Sequence, residues 1–180
     1  EVDGFDPDQL MLECEKILGV LEGFETDEIL FADSEAQKNT LWSLRRKAGE
    51  AVKAQSIYKE EDTVVPRYAL PQLLFHVKEI GKKYGFHSVC YGHAGDGNLH
   101  VNIIKGELSD EKWNEELPIA IRELFTEVIK LGGTISGEHG IGLVQKSYMD
   151  LAFPEVTLNL MRNIKKVFDP KGILNPGKVL

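Results

Sequence analysis

This chain of 180 residues is short of positive charge, of cysteine and of long apolar runs, and each shortage excludes a class of function. Lysine and arginine number 21 against 29 acidic residues, a formal net charge of −8. Nucleic acid and anionic membrane surfaces both need basic patches, so neither is expected as a partner. No apolar stretch approaches the roughly 20 residues of a spanning helix, and no signal-peptide pattern is present, so no transmembrane segment is expected. The two cysteines, Cys14 and Cys90, each sit inside an apolar periodic segment. They read as reduced core residues, which suits a reducing cytoplasm. There is no repeat, linker or low-complexity segment, and the length fits one domain over 1–180 that is large enough to bury a core.

What the chain does hold is a concentration of glycine and histidine. Three of its five histidines fall in two short runs, Tyr91-Gly92-His93-Ala94-Gly95-Asp96-Gly97-Asn98-Leu99-His100-Val101-Asn102 and Ser136-Gly137-Glu138-His139-Gly140-Ile141-Gly142. Two neutral imidazoles and a carboxylate are a common ligand set for a catalytic divalent metal with open positions. Small flexible residues around charged and imidazole groups are also what an active-site loop needs. On residues alone the alternative stands beside this reading: His93 and His100 as hydrogen-bonded loop and strand residues, and Glu138-His139 as a surface loop without chemistry. A phosphate cradle is disfavoured, because the glycine loop leads into a strand rather than a helix and no Walker lysine follows. Asp96 is suited to shaping the turn or holding a ligand histidine.

The periodicity predicts an α+β fold. Asp6-Pro7 caps a helix carrying Leu10, Met11, Cys14, Ile17, Leu18 and Leu21, ended by Gly23. Ile29-Leu30-Phe31-Ala32 reads as a buried strand, and Ser34 with Gln37 as a capping box opening a helix to about Gln55. Then come a strand at Thr63-Val64-Val65, a helix from Leu70 to Tyr84 closed by Gly85, and strands 88–91 and 99–104. A long helix from Ser109 or Asp110 to Gly132-Gly133 and a strand at Thr134-Ile135 complete the series, with helices near 143–151 and 154–168 at the end. Strand, helix, strand, strand, helix, strand is the ferredoxin-like arrangement, an antiparallel sheet with helices on one face, here with additional N- and C-terminal helices. Alternation along Leu99-His100-Val101-Asn102-Ile103 puts His100 and Asn102 on the face away from the helices.

The runs GHAGDGNLHVN and SGEHGIG, followed by Phe168-Asp169-Pro170-Lys171-Gly172-Ile173-Leu174-Asn175-Pro176-Gly177-Lys178, resemble the C-terminal half of the FAD-linked oxidases. That family includes the glycolate oxidase flavoprotein subunit, D-lactate dehydrogenase and D-2-hydroxyglutarate dehydrogenase. The resemblance extends upstream through Leu41-Trp42-Ser43-Leu44-Arg45 and Glu61-Asp62-Thr63-Val64-Val65-Pro66-Arg67, and so covers nearly the whole chain. It implies the substrate, or cap, domain of an FAD-dependent oxidoreductase acting on a small D-2-hydroxy acid. His93, His100 and Glu138 fall on the family's metal ligands, with zinc foremost and iron(II) or manganese accepted by the same set. His139 becomes the proton acceptor, Arg45 and Lys59 the cations for the substrate carboxylate, Asn102 a further substrate contact, and Asn175 part of a segment returning to the flavin. Gly49 stands where D-2-hydroxyglutarate dehydrogenases carry threonine, which argues for glycolate or lactate over a long dicarboxylate.

Nothing in the chain corresponds to the family's FAD-binding domain, and Glu1 is not methionine, so an excised, by itself inactive domain is expected. Its expected partners are that flavin domain, the hydroxy acid and an electron-transferring iron–sulfur subunit. The expected location is the cytoplasm, peripheral to the inner membrane through partner subunits. A metal-dependent hydrolase and a non-catalytic metal- or ligand-binding module are the rival readings.

Overall fold

A computed structural model describes residues 2–54 and 56–180. The chain divides into two compact units, Glu1–Lys47 and Ala48–Leu180. In the first, helix α1 (Pro7–Leu21) starts as expected: the Asp6 carboxylate accepts the N–H of Asp8 at 3.0 Å, and Pro7 opens the first turn. The capping box of helix α2 (Glu35–Ala54) is also present, with Ser34 Oγ accepting the Gln37 N–H at 3.4 Å and Gln37 Oε1 accepting the Ser34 N–H at 3.3 Å. The helix end expected at about Gln55 lies outside the described residues. The strand expected at 29–32 does not form. Ile29, Leu30 and Phe31 are exposed and no ladder partner is offered to them among the described residues, so an apolar run alone was not enough.

The second unit is built on three antiparallel strands, β1 (Tyr58–Val64), β2 (His87–Tyr91) and β3 (Asn98–Ile104), in the order β1-β3-β2. The fourth strand of the expected arrangement is reduced to a single bridge, Thr134 to Val64, on the outer edge of β1. Position and direction are those of a ferredoxin-like fourth strand; its length is not. Helices α3 (Leu70–Tyr84) and α4 (Leu117–Lys130) cover one face. Leu73, Val77 and Ile80 of α3 and Ile121, Leu124, Phe125 and Val128 of α4 meet Val101 and Ile103 of β3 in one core. Gly85 at φ 77° closes α3 as its sequence position requires.

The helix expected from Ser109 or Asp110 starts there: residue 110 is helical, and Ser109 Oγ accepts the Lys112 N–H at 3.2 Å. Lys112–Glu116 widen into a π turn before α4, since Pro118 has no N–H to offer the preceding turn. Strand β1 starts five residues before the expected Thr63 and runs through the charged residues Lys59-Glu60-Glu61-Asp62. After α4 come the short helix α5 (Met149–Ala152) and the longer α6 (Glu155–Phe168).

Candidate metal centre

The register of the sheet decides which side chains can meet. His100 lies directly across from Asp62 on β1 and from Tyr91 on β2, and Asn102 lies across from Glu60 and Val89. These residues share the face opposite α3 and α4, as alternation predicted for His100 and Asn102. That face is not open, however: His100 is 5% exposed and Asn102 is fully buried. The last turns of α2 lie over it, with a Cβ at Gly49 falling 3.5 Å from the Tyr91 hydroxyl and Lys53 Nζ 3.0 Å from Glu60 Oε2. Both polar atoms of the Asn102 side chain lack a hydrogen-bond partner among the described residues. A buried amide left unpaired costs about 1–3 kcal/mol, which a bound ligand on this face would recover.

The glycine loop between β2 and β3 brings in the second histidine. His93 and Asn98 close it, the His93 carbonyl accepting the Asp96 N–H at 2.9 Å and the Asn98 N–H at 3.2 Å. Gly97 sits at φ 76°, and a Cβ there would run into the Val65 carbonyl, so only glycine fits. Asp96 thus serves the turn through its backbone.

The SGEHG run supplies the remaining donors from a segment without regular structure. Glu138 Oε1 is 3.0 Å from His100 Nε2 and 4.0 Å from both His93 Nε2 and His139 Nε2. One donor atom from each of His93, His100 and Glu138 lies within 4.8 Å of the others. Donors sharing one tetrahedral zinc at 2.0–2.2 Å are about 3.3–3.6 Å apart, so the trio fits a metal with small adjustments. His139 stacks on His100 with ring centroids 4.9 Å apart. A second trio, Glu60, His100 and His139, shares His100 and also has donor atoms within 4.8 Å of one another. Glu60 Oε1 approaches His100 Nδ1 to 3.4 Å without a formed hydrogen bond, while Nε2 faces Glu138.

Electrostatically the face is rich in acid. Glu60, Asp62 and Glu138 surround His100, and Lys53 answers Glu60, whose carboxylate holds the Lys53 ammonium above its ordinary value. A divalent cation would balance the remaining negative charge.

Of the expected residues, Lys59 is not on this face of the sheet. Lys59 lies across from Ile103, on the helix-facing side, with its Nζ 4.0 Å from Glu61. One step along a strand changes the face, so Glu60 and not Lys59 reaches the histidines. Arg45, in the first unit, holds its guanidinium over the Trp42 ring at 5.1 Å. Asn175, at φ 45°, lines an open cleft of about 400 Å³ with Gly142, Lys165, Phe168 and Lys178, and none of the histidines lines it. The residues missed from sequence are Glu60, Asp62 and Asn98. Counting alternate positions back from Val64 along one continuous strand would have found the first two.

Known proteins resemble the chain over nearly its whole length. Residues 1–179 match the family described as FAD linked oxidases, C-terminal domain. A D-lactate dehydrogenase of Anaerostipes hadrus is 32% identical over 98% of this chain and 38% of its own length. Glycolate oxidase subunit GlcD of Bacillus subtilis is 36% identical over 86% of the chain and 31% of its own length. A D-2-hydroxyglutarate dehydrogenase of Stutzerimonas stutzeri is 34% identical, covering 89% and 35% respectively. The chain therefore spans about a third of the length of these relatives. With a match over nearly every residue, it belongs to the C-terminal domain family of the FAD-linked oxidases.

Proposed function

We propose that this chain is the metal- and substrate-binding part of a flavoenzyme that oxidises a short D-2-hydroxy acid, of glycolate or D-lactate type, to the 2-oxo acid. The observation that carries the proposal is the convergence of His93, His100 and Glu138 with His139 stacked beside them. When bound, a divalent metal, zinc foremost, supplies a Lewis acid at the substrate oxygens, and FAD, held mainly by a preceding domain, supplies the two-electron acceptor. His93, His100 and Glu138 hold the metal. His139, half exposed and not needed as a ligand in that trio, accepts the substrate hydroxyl proton as general base. Asn102 offers its unpaired amide to a substrate oxygen. Arg45 is kept for the substrate carboxylate and Asn175 for the flavin on the resemblance alone, and Lys59 is not retained. Three carboxylates on one face disfavour a second anionic group on the substrate, which supports a monocarboxylate. An iron–sulfur subunit as electron acceptor and a cytoplasmic location belong to the same reading.

The test uses the full-length protein, glycolate, D-lactate and D-2-hydroxyglutarate, and a dye acceptor. Oxidation of the first two is expected to exceed that of the third, to stop on chelation and to return with zinc. His139→Ala should lower turnover by about 10²–10⁴-fold with metal content nearly intact. His100→Ala should lose metal and activity together. Metal lost in the His139 variant and kept in the His100 variant reverses the two roles. Ester hydrolysis without flavin reduction replaces the proposal with a hydrolase.

A further inference from the structure

Glu138 and His139 are adjacent in sequence, and in an extended segment their side chains would point apart. Here both reach His100. The arrangement traces to Asp62, the direct cross-strand partner of His100 and 1% exposed. Its Oδ2 accepts the backbone N–H of Glu138 at 2.7 Å, that of His139 at 2.8 Å, and the Ser136 hydroxyl at 3.3 Å. Its Oδ1 accepts the Asn98 amide at 2.7 Å, and Asn98 in turn donates to the Thr63 carbonyl at 3.0 Å. Gly137 passes so closely over this pair that a Cβ would run into both the Asn98 amide and the Asp62 carboxylate. Two successive N–H groups can share one carboxylate oxygen only when their peptide planes turn toward it together. That turn sets both Cα–Cβ directions. Charge-assisted hydrogen bonds of this kind are about twice as strong as neutral ones, and these are screened from water by burial.

We infer that Asp62 is the positioning residue of the site, holding the Glu138 and His139 amides so that Glu138 meets His100 Nε2 and His139 stacks on the His100 ring. The consequence for metal binding rests on the reading above; the clamp itself does not. It ties the exposed 136–140 loop to the β1–β3 pair, so Glu138 keeps register with His93 and His100 some forty residues before it. An asparagine at this place cannot replace the carboxylate. Turning its oxygen to the two amides sets its NH₂ against that of Asn98, and turning it the other way sets it against the backbone N–H groups.

The test titrates metal-free full-length protein with Co²⁺, reading affinity and the visible ligand-field bands. Asp62→Asn should weaken Co²⁺ by about 10–100-fold and change the bands, since the carboxylate that orients a ligand is removed. Leu73→Ala, a core variant remote from the loop, should lower the melting temperature and leave affinity and bands unchanged. Wild-type affinity and bands in Asp62→Asn, or an equal loss in Leu73→Ala, would overturn the assignment. Hydrogen exchange on the metal-free wild type decides the matter even if Asp62→Asn does not fold. The Glu138 and His139 amides should exchange as slowly as those of β3, and exchange at the rate of free loop amides refutes the clamp. Wild type that takes up no Co²⁺ removes the metal reading instead, and amide exchange then decides the role of Asp62 alone.

Discussion

Glu61 and Asp62 are neighbouring carboxylates, both buried, and the pleat of β1 gives them opposite chemistry. Burial pushes Asp62 up, but the His139 and Glu138 amides and the Asn98 side chain outweigh it and hold the carboxyl below its ordinary value. Glu61 points into the helix-facing core, where neither oxygen makes a well-formed hydrogen bond. Burial pushes it up to about 7, against the pull of Lys59 and of the Gln145 amide. The sign follows from linkage: the folded chain keeps a proton that the unfolded chain gives up near 4.5. Stability from this group is therefore full below about pH 4.5 and lost as pH rises through about 7. The ionised carboxylate then costs on the order of 3 kcal/mol. Glu61→Gln should gain stability relative to wild type between about pH 5 and pH 8, measured by urea midpoints at both values. A pH-independent difference would show that Glu61 ionises freely in the folded state.

At the scale of elements, the site depends on where β1 begins. Had it started at Thr63, Glu60 and Asp62 would have been loop residues with no fixed direction. Pairing with β3 forces them onto the face of His100 and Asn102, and forces Lys59 off it. The turn joining β2 to β3 is equally constrained. Gly97→Ala combines a φ of 76° with a Cβ collision at the Val65 carbonyl. Such a strained position costs about 1–3 kcal/mol, and the collision adds to it. The expected result is a clear drop in denaturant midpoint together with weaker metal binding, because His93 rides on that turn. A midpoint unchanged within error would mean that the loop relaxes without cost.

For the whole molecule, the acidic balance and the histidine cluster point to the same experiment. The chain carries 29 acidic residues against 21 basic ones, and three carboxylates gather around His100. A metal that binds only the folded state stabilises it by about 2.7 kcal/mol at a hundred times its dissociation constant. Zinc should raise the melting temperature of the wild type in a concentration-dependent way, and a chelator should reverse the gain. His100→Ala should abolish the dependence. The same shift in His100→Ala and wild type would place the responding zinc elsewhere. Among the described residues no helix is long and apolar enough to cross a membrane.

The sequence by itself determined the helices with local signals: the Asp6 cap, the Ser34–Gln37 box and the Gly85 stop are short-range, and each appears in the structure. It determined the faces of β3 as well, because apolar and polar residues alternate there. The family was legible for the same reason, since its motifs are contiguous runs of residues. Only the tertiary structure decided the rest. A single bridge took the place of the fourth strand, and 29–32 formed no strand, because a strand exists only through a partner's hydrogen bonds. The charged start of β1 hid a strand that only pairing with β3 could reveal. The site itself joins β1, the turn before β3 and a loop some forty residues beyond. No local pattern states that Asp62 reaches two amides seventy-six and seventy-seven positions away. That contact is a property of the folded sheet, where strand register and not sequence distance decides what meets.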